Sequence, residues 1–300
     1  MMPAHFLGAH TIDTGGIHMA VRRAANASMT ALQVFTAKPQ FYNERISVRP
    51  ERVERFRAAL AGTNIRPEHI VAHGAYVLNV ATPDEAKWAR ARDGLAKELE
   101  RATALGIGIV CFHPGAATDG DRAAAAERVA AAIRHALETV RGGDTRVLVE
   151  NTAGAGATMA RTAEEVGAIL RRVPKRLRNR TGYGLDTCHL WASGYDIAES
   201  KGALSGVLDA FEEAAGEAPG FFHLNDSEGD RGSNRDRHAL IGDGKIGAAP
   251  FGWLLEDARS RGIPLVLETP QLNTEIAEDD DTPDPYDVRM MVLLRGMAKG

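Results

Sequence analysis

The sequence is poor in cysteine and in aromatic residues: it has only Cys111 and Cys188, and aromatic residues make up 6% of its 300 positions. Two cysteines cannot build a disulfide framework, and both lie in or beside predicted strands, which favours a reduced compartment. No apolar run reaches the roughly 18 residues that a membrane-spanning helix needs. The amino terminus also lacks the basic-then-apolar pattern of a secretory signal. We therefore predict a cytoplasmic protein without a membrane partner.

The chain also has little net charge. A formal charge of −4 argues against broad nonspecific binding to nucleic acid, although it allows a local basic rim. The apolar content of 44% and the charged content of 25% are those of an ordinary globular protein. No linker, low-complexity tract or shift in composition marks a second domain, and nothing indicates an obligate protein partner. We predict one domain over residues 1–300, a length that suits a barrel of typically about 250 residues.

Potential metal ligands recur along the chain at a nearly constant interval, each at the carboxyl end of a short apolar run. Counting from His73, the strand-end ligands are separated by 40, 37, 36, 37 and 45 residues. A strand, a loop, a helix and a second loop take about this length, so the spacing predicts a repeated β/α unit. Because each late strand ends in a ligand, the strands point at one place, and we predict that this place holds metal.

Eight segments have the composition of strands. They are roughly His5–His10, Ala31–Thr36, Ile70–Gly74, Ile107–His113, Arg146–Asn151, Tyr183–Asp186, Phe221–Asn225 and Pro264–Thr269. Stretches with helical periodicity lie between them, such as Pro83–Leu105 and Asp121–Arg141, and a last helix is predicted from about Pro285 to Met297. Strict alternation of strand and helix predicts an α/β protein with a parallel sheet, and eight units favour closure into a single (β/α)₈ TIM barrel. Such barrels place their active sites at the carboxyl ends of the strands, where we expect the metal site.

Two helix starts carry capping signals. In the first, Thr82 is predicted as the capping residue and Pro83 as the first helical residue. In the second, Thr162 and Glu165 have the spacing of a capping box. The longest irregular segments, 227–245 and 269–285, both follow the carboxyl end of a strand.

Nine side chains form the predicted metal site. They are His73, His113, Glu150, Asp186, His189, His223, Asp236, His238 and Glu268. Four carboxylates in one barrel mouth would repel one another unless cations lay among them. A nitrogen and oxygen donor set without cysteine suits Zn²⁺, with Mn²⁺ or Fe²⁺ as substitutes. At three or four ligands per ion, nine ligands suffice for three ions if Glu150, Glu268 or Asp186 bridges two of them.

Other polar residues are interpreted as structural. His10 ends the first predicted strand, where we expect it to orient a neighbour rather than to bind metal. Cys188 would point away from Asp186 on a continuing strand, so we interpret it as a buried thiol. The basic run Arg171–Arg180 precedes a strand, so we place it on the amino-terminal face of the barrel as a solvated helix end.

Several motifs closely resemble those of the endonuclease IV family, the zinc-dependent apurinic/apyrimidinic endonucleases of the xylose isomerase-like barrels. In chain order these motifs are GAHTIDTGG, HGAYVLNVATP, FHPG, ENTAGAG, LDTCHLWASGYD, HLND, DRH followed by IGDGKIG, and LETP. The resemblance runs from about Gly8 to Pro270. It implies catalytic roles for Glu150 and Glu268 and assigns all nine metal positions. The implied ligands are His73, His113 and Glu150 for the first zinc; Glu150, Asp186, His223 and Glu268 for the second; and His189, Asp236 and His238 for the third.

The same resemblance implies the reaction. The expected activity is hydrolysis of the phosphodiester on the 5′ side of an abasic site, which leaves a 3′-hydroxyl, together with removal of blocking groups from damaged 3′ ends. The expected partner is damaged double-stranded DNA, contacted by residues that include Lys38, Gln40, Tyr76 and Arg237. Two positions depart from the family pattern, because Gln40 stands near an expected arginine and Glu228 stands where lysine is common. Both changes remove positive charge from the DNA-facing rim.

Two alternative functions fit the same barrel. A divalent-metal sugar isomerase or epimerase usually needs one or two ions, and it would leave the group His189, Asp236 and His238 without a use. A non-catalytic, metal-stabilised DNA-binding barrel would have no need for a complete ligand set. Metal counting tests the first alternative, and a nicking assay tests the second.

Overall fold

The computed structural model describes residues 5–37 and 49–299, in which eight parallel strands form one sheet. These strands are β1 (Phe6–Ala9), β2 (Leu32–Phe35), β3 (Ile70–His73), β4 (Ile109–Phe112), β5 (Arg146–Glu150), β6 (Thr181–Asp186), β7 (Phe222–His223) and β10 (Pro264–Leu267). Each predicted strand is present, and its ends differ from the prediction by at most two residues. The strand composition and turn signals were therefore sufficient to locate the sheet.

The sheet curves into a nearly closed barrel. Its strand order is β1-β10-β7-β6-β5-β4-β3-β2, so the two ends of the order are strands that follow each other in the chain. A parallel bridge between His10 and Gln33 joins them, and the Leu7 carbonyl accepts a hydrogen bond from the Ala31 amide at 3.1 Å. A Cβ added at Gly8 would lie 2.1 Å from the Ala31 carbonyl oxygen, so glycine permits this close approach. The predicted (β/α)₈ architecture is confirmed.

Helices separate the strands of the sheet. They are α1 (Ile17–Asn26), α2 (Pro50–Leu60), α3 (Glu85–Leu105), α4 (Arg122–Thr139), α5 (Ala163–Arg172), α6 (Thr187–Ser193), α7 (Lys201–Ala215), α8 (Ala249–Glu256) and α9 (Pro285–Met297). Within the described ranges, no helix combines the length and the apolar character needed to cross a membrane. The predicted bounds of α9 are confirmed, and α4 is shorter than its prediction at both ends.

One predicted helix start is wrong and the other is confirmed. Helix α3 begins at Glu85, and its capping residue is Asp84, whose carboxylate accepts from the Lys87 amide at 2.9 Å. Thr82 instead accepts from the Asp84 amide at 3.3 Å, so its hydroxyl supports the turn before the helix. At the start of α5, Thr162 accepts from the backbone amide of Glu165, as predicted.

Residues two positions before several metal ligands fill the barrel interior. Val71, Cys111, Leu148, Phe221 and Val266 belong to one buried cluster inside the sheet. Side chains two residues apart on a strand point to the same face, so the metal ligand two positions after each of these residues also points inward. The interior cluster therefore forms an apolar floor, and the ligands form the layer above it at the carboxyl ends of the strands.

The segment after β7 is less irregular than predicted. Strands β8 (Asp226–Ser227) and β9 (His238–Ala239) pair antiparallel, at the start of and inside the segment 227–245 that was predicted to be irregular. Cys188 is buried as predicted, but it lies on α6 and not on a continuing strand. The reason is that the Asp186 carboxylate accepts from the His189 amide at 2.9 Å and starts a helix there.

The basic run leads directly into β6, on the amino-terminal side of the barrel. Its first two arginines end α5, and Lys175–Arg180 forms a 3₁₀ helix. Arg176 forms an ion pair with Glu138, and Arg178 forms one with Glu217 at 2.9 Å. These pairs join neighbouring elements of the barrel, which favours a structural role over binding to a polyanion.

A buried carboxyl group on α9 makes a testable contribution to stability. Burial, and then the charge of Asp284, raises the pKa of Asp287 to about 7, and its Oδ1 has no hydrogen-bond partner. Because this pKa exceeds the unfolded value of about 3.9, the stability it contributes is present at low pH and is lost as the pH rises toward 7. We expect Asp287→Asn to increase the free energy of unfolding by about 2–3 kcal/mol more at pH 8 than at pH 5. Chemical unfolding of both proteins at both pH values measures this, and an equal gain at the two pH values would contradict it.

Candidate metal centre

The structure brings all nine predicted ligands to one end of the barrel. They are His73, Glu150, Asp186 and His223 at the last residues of β3, β5, β6 and β7; His113 and Glu268 directly after β4 and β10; His189 on α6; Asp236 just before β9; and His238 on β9. The strand register places Asp186 beside His223, and it aligns His73 with Cys111, two residues before the ligand His113. The helix α6 and the β8–β9 pair supply the remaining three from outside the sheet.

The nine side chains fall into three groups, and within each group the ligand atoms lie within 4.8 Å of one another. The groups are His73, His113 and Glu150; Glu150, Asp186, His223 and Glu268; and His189, Asp236 and His238. Glu150 belongs to two of them. Its Oε2 lies 3.3 Å from His73 Nε2 and 3.2 Å from His113 Nε2, while its Oε1 lies 2.7 Å from His223 Nδ1.

The histidines are oriented by their outer nitrogens, which contact carbonyl groups. These contacts are His73 Nδ1 to Gly74 O at 2.8 Å, His189 Nδ1 to Asn151 O at 2.8 Å, His238 Nδ1 to Glu268 O at 3.0 Å, and His223 Nε2 to the Gln33 side-chain oxygen at 2.6 Å. A carbonyl only accepts, so each outer nitrogen carries a proton, and the inner nitrogen is the one that can bind a metal ion. Ligating histidines in metalloproteins are commonly held in this way.

Several buried atoms of the centre have no hydrogen-bond partner. They are Nε2 of His113, His189 and His238, and Oε2 of Glu150. His238 Nε2 lies 3.0 Å from Asp236 Oδ1, close enough for attraction but without the geometry of a hydrogen bond. Buried polar atoms normally have partners, and inward-facing lone pairs and carboxylate oxygens around one point are what a cation would satisfy. The residues present therefore fit divalent metal.

The imidazoles and carboxylates hold one another charged. Burial acts to lower the pKa of His73, but Glu150 and Glu268 outweigh it and raise that pKa to about 9. His238 has the same balance, led by Asp186, and its pKa is also raised to about 9. Burial would raise the pKa of Glu268, but the neighbouring imidazoles hold it at about 2. Protons and divalent cations thus compete for the same histidine nitrogens.

Cys188 offers a fourth combination with Asp186 and His238. Burial and the charge of Asp186 raise the pKa of its thiol to about 12, and the sulfur donates to the Arg237 carbonyl at 3.6 Å. The thiolate is the metal-binding form of cysteine, so a thiol held protonated is a poor ligand. This agrees with the interpretation of Cys188 as a buried thiol.

Sequence reasoning missed three amides that hold the ligands in place. Asn151 accepts from the Asp186 amide at 2.6 Å. Asn225 donates to Asp186 Oδ2 at 2.6 Å and accepts from the Glu268 amide at 2.8 Å. Gln33 is buried on β2 and contacts Glu268, His223 and His10. The detectable signal was a polar residue at an inward strand position or directly after a strand-end ligand.

A cavity of about 520 Å³ opens above the ligands. Tyr76 and Arg237 line it together with Phe35, Gln271 and Thr274. Tyr76 is 66% exposed, and its ring lies 5.3 Å from that of Phe35. Two of the four predicted DNA contacts therefore border the site, whereas Lys38 and Gln40 lie outside the described residues.

Comparisons with known proteins agree with this geometry. The family model described as xylose isomerase-like TIM barrel matches residues 21–286. A relative named "Probable endonuclease 4" from Chlorobium phaeobacteroides is 37% identical over 269 residues, which cover 89% of this chain and 92% of that protein. The chain belongs to the endonuclease IV family. The "Apurinic-apyrimidinic endonuclease" of Caenorhabditis elegans is 34% identical over 267 residues, which cover 88% of this chain and 66% of that protein.

Solved structures separate the endonuclease IV family from the rest of the fold. Endonuclease IV from Thermus thermophilus matches with a TM-score of 0.79 and 31% identity over 98% of each chain. A D-tagatose 3-epimerase-like protein matches with a TM-score of 0.71 but only 14% identity, over 99% of this chain and 97% of that one. The second likeness shows the fold alone, so the sugar epimerase alternative is the less supported one.

Proposed function

We propose that this member of the endonuclease IV family is a zinc-dependent enzyme acting on damaged double-stranded DNA. It hydrolyses the phosphodiester 5′ to an abasic site and leaves a 3′-hydroxyl. The observation that carries the proposal is the set of three ligand groups at the barrel mouth, two of which share Glu150. Relatives named endonuclease 4 and apurinic-apyrimidinic endonuclease support the reaction class.

The proposed ligand assignment follows the three groups. The first ion would be held by His73, His113 and Glu150, the second by Glu150, Asp186, His223 and Glu268, and the third by His189, Asp236 and His238. When bound, zinc supplies Lewis-acid stabilisation of phosphate charge and a nucleophilic water near neutral pH. Glu150 and Glu268 would act as catalytic ligands, and the two oxygens and negative charge of Glu150 would let it serve two cations. Mn²⁺ or Fe²⁺ could take the same positions.

The cavity above the ligands suits an extrahelical sugar without a base. An abasic nucleotide has no base to unpair or unstack, so extruding it costs less than the few kcal/mol needed for a normal nucleotide. The sugar, its two phosphates and solvent would share the cavity volume of about 520 Å³. The exposed ring of Tyr76 at the cavity edge can stack on the neighbouring bases. Selectivity then comes from the size of the pocket and not from reading base sequence.

The same site can accept a damaged 3′ end. A blocking group at a 3′ terminus is joined through a phosphate, which is the group that the ligand cluster recognises. Its hydrolysis requires no base and no intact strand beyond the lesion. We therefore propose that removal of 3′ blocking groups accompanies cleavage at abasic sites.

The proposal also covers the domain organisation, the cellular location and the protein partners. We propose a single domain over residues 1–300 and a cytoplasmic location without an obligate protein partner. The observation that supports the location is that Cys111 and Cys188 are both free and buried. Unpaired thiols suit a reducing compartment.

The two alternative functions make different use of the ligands. A sugar isomerase or epimerase would leave the group containing His189 and Asp236 without a role. A non-catalytic DNA-binding barrel would retain buried, converging carboxylates at an electrostatic cost and without turnover. In the proposed assignment, every ligand of the set holds one of the three ions.

A nicking assay tests the proposed function. The substrate is a duplex with one abasic site and a 5′ label on the damaged strand, and the matched control is the same duplex with a normal base. We expect cleavage of the abasic strand only, with a product that a DNA polymerase extends from its 3′-hydroxyl. Excess chelator should abolish cleavage, and added Zn²⁺ should restore it. Failure to cut with a full metal content would refute the proposed reaction.

Substitutions of arginine on opposite faces of the barrel should differ in their effect on DNA binding. Arg237 borders the cavity, whereas Arg176 and Arg178 lie on the amino-terminal side in ion pairs. We expect Arg237→Ala to weaken binding to an abasic duplex and to flatten the slope of log affinity against log salt by about 0.9, the value for one phosphate. The double variant Arg176→Ala, Arg178→Ala should change neither. Fluorescence anisotropy over a salt series measures both quantities.

The metal content of the Arg237→Ala protein must be measured first. Arg237 donates to the Asp236 carbonyl at 2.6 Å and lies between two proposed ligands, so its loss could disturb the third ion. Loss of DNA affinity in the double variant alone would show that the two faces are assigned wrongly.

A further inference from the structure

Gln33 is a neutral amide buried among the charged ligands of the metal centre. Its side chain has no solvent exposure, and it lies on β2 at the point where the barrel closes. The neighbouring residues on that strand, Leu32 and Val34, are apolar and buried. A buried polar group is costly unless its hydrogen bonds are complete, so the contacts of Gln33 show what it does.

Gln33 makes three hydrogen bonds at the centre. The Nε2 group donates one hydrogen to Glu268 Oε1 and the other to His10 Nδ1, which lies 3.1 Å away. The Oε1 atom accepts from His223 Nε2 at 2.6 Å. The reverse orientation of the amide would place its oxygen against the Glu268 carboxylate, where two acceptors would repel. The direction of each hydrogen bond is therefore fixed.

This arrangement determines which nitrogen of His223 carries the proton. The Gln33 oxygen can only accept, so His223 carries a proton on Nε2, and Nδ1 is the nitrogen that can bind a metal ion. That Nδ1 lies 2.7 Å from Glu150 Oε1 and 3.3 Å from Glu268 Oε2. The Gln33 amide thus sets the tautomer of His223 and holds one carboxylate oxygen of Glu268. The other oxygen of Glu268 faces the metal centre.

We propose that Gln33 is a positioning residue that orders His223 and Glu268 for the second metal ion. The inference rests on the ligand assignment proposed above. Of the three groups, Gln33 contacts only the one that contains both of these residues, so its effect should be selective. Groups around a metal that orient its ligands typically contribute about 10–100-fold to metal affinity.

The role of the Gln33 side chain can be tested without disturbing the backbone contact that closes the barrel. The bridge between β1 and β2 at His10 and Gln33 is a backbone contact, which a change of side chain leaves in place. Gln33→Met keeps the approximate length and volume of the side chain and removes every hydrogen bond. Thr145→Val is the matched control, because it removes a buried hydroxyl that donates to the Ile107 carbonyl at 2.8 Å, at the opposite end of the barrel.

The experiment measures zinc binding without DNA. Each full-length protein is loaded with Zn²⁺ and dialysed against chelators of graded strength, and zinc per chain is determined by elemental analysis. We expect Gln33→Met to lose one ion to a chelator whose zinc affinity is about 10–100-fold lower than that needed to remove an ion from the wild type. The other two ions should be retained. Thr145→Val should behave as wild type. Unchanged release of all three ions, or equal weakening of all three, would overturn the proposal.

A second measurement needs no variant. Nitrogen NMR of the zinc-loaded wild-type protein reports which nitrogen of each histidine carries a proton. We expect the His223 proton on Nε2, and a proton on Nδ1 would overturn the proposal. If the wild type holds three ions and does not cut abasic DNA, the proposed reaction fails while the role of Gln33 stands.

Discussion

Replacing Glu150 with glutamine is expected to reduce cleavage at abasic sites by about a thousandfold or more while the barrel stays folded. Glu150 is fully buried, and its two oxygens face different ligand groups. An amide offers one oxygen and no negative charge, so it cannot serve two cations. Metal ions typically stabilise phosphoryl transition states by several kcal/mol, and about 4 kcal/mol corresponds to a thousandfold change in rate.

The measurement is single-turnover cleavage of the labelled abasic duplex. Glu217→Gln is the matched control, since it makes the same chemical change in a carboxylate that pairs with Arg146 and Arg178 at the other end of the barrel. That control should cut at the wild-type rate. A Glu150→Gln protein with wild-type turnover would show that Glu150 does not bridge two ions.

Removing the metal is expected to have the second largest effect. An ion that binds the folded state and not the unfolded state stabilises the fold by about 4 kcal/mol when its concentration is a thousand times its Kd. The buried carboxylates of Glu150 and Asp186, together with the buried imidazoles of His73, His189 and His223, would lose their cations. We therefore expect chelation to lower the free energy of unfolding by several kcal/mol and to abolish cleavage.

Chemical unfolding of the loaded protein, the chelated protein and the chelated protein after addition of Zn²⁺ measures this effect. The restored sample is the control for irreversible damage, and it should match the loaded one in stability and in cleavage. If the chelated protein contains no metal and unfolds at the same denaturant concentration, the ions contribute nothing to the fold.

The strands and the ligands could be predicted because both depend on local patterns. Short apolar runs between turn signals located the sheet, and the regular interval between strand-end ligands indicated one shared rim. The period-two alternation of a strand then explains why Val71 and His73, or Leu148 and Glu150, face the same side. Such signals extend over a few residues and need no tertiary information.

Other features depend on contacts between distant residues. The helix start after Asp186 was missed because its carboxylate has two functions, capping α6 and facing the metal ligands. The β8–β9 pair is only two residues long in each strand, too short for a periodic signal. The role of Gln33 required the neighbours that closure of the barrel brings to it, from 190 and 235 positions away in the chain.

The measurement that tests the central claim most directly is the number of metal ions per chain. Nine side chains in three groups converge at the carboxyl ends of the strands, and Glu150 belongs to two of these groups. Elemental analysis of gently purified protein should give close to three ions per chain, mainly zinc. A value of one ion per chain would contradict the trimetal centre and would favour the isomerase alternative.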